Sequence, residues 1–195
     1  MEGKHYDKII TDLIKKEYLK PEDRDLYTYA LRITVQSILN VIAVFGLGLI
    51  LNMVKESVLT YITFFFLRKF FGGIHMEKYV YCFSISLVIH FCGLILIKQE
   101  WLMQKEIFLC LLFISFVLIS LCSPVAHPNK KIYPNEKRIY KTVSIILSII
   151  CCLICGITIL AGNYQWVGYS IGTSLIISCV LMCIGKIAYR KSNKN

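Results

Sequence analysis

The sequence predicts an all-α, polytopic membrane protein with six transmembrane helices, an N-terminal amphipathic helix lying in the interface, and both termini in the cytoplasm. Hydrophobic residues make up 56% of the 195 positions, and mean hydropathy is +0.63. Almost all charge falls in short clusters between long apolar runs, which is the composition of a chain dissolved in a bilayer and argues against a soluble globular enzyme. The clusters are also uneven in sign. The net charge of +10 is largely the bias that orients membrane helices; it suits anionic headgroups and acidic ligands and gives no specific sign of nucleic-acid binding.

Ahead of the first span, Tyr6, Ile9, Ile10, Leu13 and Ile14 recur at helical spacing opposite Asp7, Lys8, Asp12, Lys15 and Lys16, until Pro21 interrupts. Residues 1–27 therefore read as a cytoplasmic amphipathic segment on the inner leaflet, with no signal-peptide pattern to cleave. Spans follow at about 30–54, 57–71, 77–98, 106–123, 141–161 and 166–186, and 1–195 reads as one integral-membrane domain. The last two spans share one apolar run, divided at "GNYQW", residues 162–166, where glycine, asparagine and an interfacial Trp166 mark a tight turn.

The second span is lean. Its ten uncharged residues, 58–67, cover about 15 Å of a hydrocarbon core roughly 30 Å thick. Arg68 and Lys69 must continue the helix, snorkelling or packed against protein. Protein contacts would help hold such a span, and a homodimer is compatible with that need.

Orientation follows from the basic residues. Six precede Leu26, three lie at 68–78, five run from Lys130 to Lys141, and four follow Ile184; the opposite side has only Lys55, Lys98 and Lys105, each with acids nearby. The termini and the 68–78 connection are thus expected on the cytoplasmic face. The nine cysteines do not suggest a metal. Cys151, Cys152 and Cys155 cluster mid-span without histidine or acid neighbours and read as small hydrophobes, so no metal or other cofactor is expected.

The stretch "RKFFGGIHMEKYVYC", residues 68–82, carries the chemistry. Cys82 falls near the cytoplasmic start of the third span, beside a helix N-terminus and in the company of Arg68, Lys69 and Lys78, all of which favour thiolate over thiol. On one straight helix His75 and Cys82 would share a face yet stand about 10.5 Å apart, whereas a base must come within roughly 3 Å of the atom it deprotonates. Gly72 and Gly73 resolve this if positive φ lets the connection fold back and lay His75 over the first turns of the third helix. On residue types alone a plainer account stands beside it: the glycines end a helix, His75 sits at the interface, and Cys82 is one more buried cysteine.

Other polar residues compete for roles. Gln36, two turns into the first span with Asn40 one turn further on, lies at a depth comparable to Cys82; it serves either the site or helix packing. Glu77 is two residues from His75 and solvated. Cys122 with His127, turned by Pro124, forms a rival pair without a basic or glycine-rich setting. His90 reads as a buried packing histidine and His5 as part of the amphipathic helix.

Arg68, Gly72-Gly73, His75 and Cys82, followed by "SPVAHPNKKI" at 123–132, resemble the AgrB (accessory gene regulator B) family over nearly the whole chain. Members of that family are integral-membrane cysteine endopeptidases of Gram-positive bacteria that process a quorum-sensing propeptide. The resemblance implies Cys82 as nucleophile and His75 as general base. It also implies Arg68 and Gly73, with the adjoining Gly72, as supporting residues, and Lys130-Lys131 as a basic pair that binds substrate. His127 is not part of that pattern. The implied partner is a short precursor peptide with an amphipathic N-terminal helix, suited to membrane lipids, and an acidic C-terminal tail, suited to Lys130, Lys131, Lys137 and Arg138. Positive-inside bias accounts for the same basic residues equally well. Two other classes remain, a peptide exporter with Gln36, Asn40 and His90 along its path and a non-catalytic adaptor. The exporter lacks the buried acids and paired broken helices of transporters.

Overall fold

The computed structural model describes residues 3–16, 18–72, 79–99, 104–125, 134–162 and 164–192. Among them are seven α-helices: α1 Gly3–Lys15, α2 Arg24–Leu51, α3 Val54–Phe71, α4 Tyr79–Lys98, α5 Lys105–Cys122, α6 Pro134–Leu160 and α7 Gln165–Ser192. Each apolar stretch read as a span lies in a helix, and four helices, within 21–51, 105–122, 136–160 and 165–188, are long and apolar enough to cross a membrane. Several outrun the expected spans. The α6 helix begins at Pro134 and α7 continues to Ser192, because i→i−4 hydrogen bonding does not stop where hydrocarbon gives way to headgroups.

The chain divides into two compact units, residues 1–43 and 44–195. In the first, α1 keeps Ile10 buried and Leu13 and Ile14 half-buried while Asp7, Lys8, Asp12 and Lys15 are exposed, with Ile9 of the expected apolar face exposed as well. An Arg24 Nη2–H donates to Thr11 Oγ1 at 3.1 Å, tying α1 to the start of α2.

The second unit begins inside α2, which ends in a Schellman motif. Asn52 takes φ 56°, its N–H reaches the Leu49 carbonyl at 3.2 Å, and the Met53 N–H reaches Gly48 O at 2.8 Å, satisfying two carbonyls that the helix end would orphan. The chain re-enters α3 within this turn. The α7 helix packs against α3, α4, α5 and α6. Its inward face mixes apolar residues such as Leu175 and Met182 with hydroxylated ones, Ser170, Thr173, Ser174 and Ser178, all buried. A Cβ at Gly172 would collide with the Phe108 ring, and one at Gly168 with Ile159, so the helices approach through these glycines.

Many large apolar side chains also point outward: Phe113 is 67% exposed, Leu121 72% and Ile157 66%. Hydroxyls buried among the core side chains and so much bulky hydrocarbon outside are tolerable only where the surroundings are themselves apolar. The lean α3 fits this scheme. It is 18 residues long, with Arg68 and Lys69 inside its last turn. Ser57, Thr60, Leu67 and Phe71 are buried, so protein contacts compensate for its short apolar run.

Candidate functional site

The expected site grows from the C-terminal end of α3. Arg68 is half-buried there, its guanidinium 5.7 Å from the centroid of the Phe64 ring, and Lys69 Nζ stands 5.8 Å over Phe70. These contacts keep two cations within the helix by packing their stems and heads on aromatic faces. Phe71, fully buried, is the last helical residue.

Gly72 then turns the chain with φ 77° and ψ −157°, a region essentially closed to residues bearing a Cβ. The expected positive φ is present, with a second reason for glycine that the sequence did not reveal. Gly72 forms a parallel backbone bridge with Val125, and an added Cβ would run into the Val125 carbonyl.

That bridge belongs to a knot of three elements. A helix end leaves its last carbonyls without partners. At the end of α3 the Arg68 carbonyl receives the Gly72 N–H at 3.2 Å, and the Phe71 carbonyl receives the Val125 N–H at 3.1 Å. The Phe70 carbonyl lies 3.3 Å from the Ser144 hydroxyl on α6. Ser123, just past α5, donates its hydroxyl to Ser144 Oγ at 2.7 Å. The Phe70 and Tyr140 rings pack at 5.9 Å between centroids. Two stretches of chain start at this knot: the 73–78 connection directly follows Gly72, and 126–133 directly follows Val125.

Cys82 has its backbone in the first turn of α4, where the helix dipole favours an anion. Its side chain lies outside the described residues, as do Gly73, His75, Glu77, His127, Lys130 and Lys131. Lys137 and Arg138 are exposed at the start of α6. Gln36 is a half-buried residue of α2 in the first unit. Cys122, of the rival pair, is half-buried against the apolar core.

A second polar node lies near the start of α3. Ser57, fully buried, donates its hydroxyl to the Val44 carbonyl at 2.8 Å and sits 2.9 Å from His90 Nε2. The serine's single proton is thereby committed, which assigns a proton to His90 Nε2 as donor. Tyr61 meets the imidazole edge to face at 6.3 Å. His90 is thus a satisfied packing histidine, as the sequence suggested. Ser57 and the Ser123–Ser144 pair were missed, because a serine in an apolar run usually bonds its own helix and carries no sign of a distant partner.

The family model of Accessory gene regulator B matches residues 6–184. An AgrB-like protein of Clostridium perfringens (strain SM101) is 27% identical over 187 residues, 91% of this chain and 87% of that protein. The Accessory gene regulator protein B of Staphylococcus saprophyticus is 27% identical over 143 residues, 73% of this chain and 72% of its own length. That of Staphylococcus lugdunensis is 25% identical over 124 residues, 64% and 65% respectively. No solved structure matches the chain. With its motif residues and nearly its whole length inside the match, the chain belongs to the Accessory gene regulator B family.

Proposed function

We propose that this chain is a multi-pass cell-membrane cysteine endopeptidase that cleaves a quorum-sensing precursor peptide and closes the retained part into a ring. Family membership over residues 6–184 carries the reading and supports a role in autoinducer processing. The position of Cys82 in the first turn of α4, beyond a connection that starts from an anchored Gly72, is the setting a nucleophile needs. In this reading six helices cross the bilayer and the site opens on the cytoplasmic face. Lys130 and Lys131 take the acidic tail of the precursor, and the precursor's amphipathic segment rests on lipid.

The reaction needs no oxidant or cofactor. His75 takes the Cys82 proton as Sγ attacks the scissile carbonyl carbon. An S–C bond forms, the peptide C–N bond breaks, and the imidazolium returns the proton to the departing amine, so the C-terminal part leaves and the N-terminal part remains as a thioester. A cysteine or serine within the bound peptide then attacks that carbonyl. The new S–C or O–C bond closes the ring, the bond to Cys82 breaks, and the proton returns to the thiol. Exchange between thioesters is nearly balanced in energy, so excluding water and positioning the internal nucleophile decide between ring and hydrolysed acid.

Intact-mass measurement of the purified protein in lipid, after mixing with the precursor encoded nearest its gene, tests this. An adduct equal in mass to the N-terminal part, present in wild type and absent in Cys82→Ala, is the expected result. The His75→Ala variant should form it about 10²- to 10⁴-fold more slowly. Cleavage that survives Cys82→Ala would move attention to Cys122 and His127. Binding without cleavage would favour the exporter or the adaptor.

A further inference from the structure

We propose that Ser144 is a positioning residue for this peptidase, acting through the chain Ser123 hydroxyl, Ser144 hydroxyl, Phe70 carbonyl to fix where the two connections of the site begin. The inference rests on the reading in which Cys82 and His75 do the chemistry.

Ser144 is fully buried and Ser123 is 5% exposed, so each hydroxyl must find its partner within the protein. Ser144 has one proton and two lone pairs. It accepts from Ser123 at 2.7 Å and donates either to the Tyr140 carbonyl in its own helix at 2.8 Å or to the Phe70 carbonyl of α3 at 3.3 Å. One atom therefore contacts α3, α6 and the segment after α5. The residues it holds are adjacent in sequence to the bridge: Phe70 precedes Phe71 and Gly72, and Ser123 lies two residues before Val125. Taking Ser144 away leaves the Ser123 hydroxyl without its acceptor and the end of α3 without its hydroxyl contact to α6, so that only the backbone bridge and apolar packing, such as Phe70 on Tyr140, join it to its neighbours. The chain leading to His75 and the chain leading to Lys130 would then no longer start from a fixed relative position. Small displacements at such a distance are magnified at a reacting centre, where misplacement by about 1 Å costs on the order of 10²-fold.

Ser148 supplies the control. It is equally buried, one turn along the same face of α6, yet among the described residues its hydroxyl bonds within α6, to the Ser144 carbonyl at 2.8 Å.

The experiment is the rate of acyl-adduct formation by full-length protein in lipid, with precursor affinity and thermal midpoint measured in parallel. Ser144→Ala should slow adduct formation about tenfold or more, with precursor affinity changed less than about threefold. Ser144→Cys, nearly isosteric with a weaker donor, should fall between, and Ser148→Ala should match wild type. Ser123→Ala should be slow as well, and Ser123→Ala/Ser144→Ala no slower than the worse single change, because the two hydroxyls act as one unit. A wild-type rate in folded Ser144→Ala, an equal loss in Ser148→Ala, or multiplicative single effects would overturn the inference. If Ser144→Ala does not fold, Ser144→Cys decides: a wild-type rate there overturns it. If wild type itself forms no Cys82-dependent adduct, the peptidase reading fails and this inference with it. If wild type forms the adduct and Ser144→Ala keeps pace, only the role of Ser144 falls.

Discussion

At its start α3 is held by side chains, and at its end by main chain. Around Ser57 the contacts are a hydroxyl to the Val44 carbonyl, an imidazole and an edge-on tyrosine. One turn on, the Thr60 carbonyl receives the Ser174 hydroxyl at 2.9 Å, yet the Thr60 and Thr173 hydroxyls are buried with no partner among the described residues. Around Phe70–Gly72 the Arg68 and Phe71 carbonyls are met by two amides, the Ser144 hydroxyl stands 3.3 Å from the Phe70 carbonyl, and the turn is pinned at one φ/ψ. The two regions lie about 20 Å apart along the helix axis. A partly satisfied side-chain node leaves room for adjustment, whereas a junction of backbone hydrogen bonds fixes geometry. The motif that carries His75 and Cys82 leaves from the fixed end.

Substitutions can break that contrast, and Gly72→Ala should do so most severely. Its backbone region alone costs about 1–3 kcal/mol, before the collision with the Val125 carbonyl. Peptide processing should drop more than about tenfold, measured as adduct formation per folded molecule. Next is His90→Ala, which leaves Ser57 without one partner and should cost about 1–3 kcal/mol of stability. Its thermal midpoint in detergent should fall while the rate per folded molecule holds; a rate that fell with it would mean the two nodes are coupled. Thr173→Val should have the opposite sign. Removing an unpartnered hydroxyl at constant shape should be neutral or add up to about 1 kcal/mol, and a clear loss of stability would show that Thr173 has a partner after all. Ser174→Ala should be the mildest, about 0.6 kcal/mol, because a serine that can donate to Thr60 or to Ser170, each at 2.9 Å, forms no irreplaceable link.

The legible parts of the molecule were those written locally. Apolar runs gave the helices, the spacing of Ile9, Ile10, Leu13 and Ile14 gave α1, and the short run before Arg68 required the two cations to lie within α3, as they do. The "GNYQW" turn is likewise local, with Gly162 and Tyr164 both at positive φ. The Schellman turn at Asn52 was not anticipated, since asparagine after an apolar run is also an ordinary loop residue. Least legible were contacts between distant residues. Ser144 and Phe70 are 74 positions apart, and Ser57 and His90 are 33 apart; nothing near either serine distinguishes it from those that bond only their own helix. Of the candidate site, the motif named Gly72 and Arg68, while the physical need for glycine at 72 came from a residue in another connection.

The Gly72–Val125 bridge has a consequence for mutational tolerance. Its two positions contribute different kinds of atoms. Position 72 is constrained by what it must lack, a Cβ, so a saturation library there should return glycine almost alone. Position 125 contributes only its main chain to the bond, so the same library should accept most residues of suitable size and polarity and reject proline, which has no N–H to give. One contact thus leaves a nearly invariant letter at one site and a permissive one at the other, and sequence drift at residue 125 can proceed without moving the chain that precedes His75.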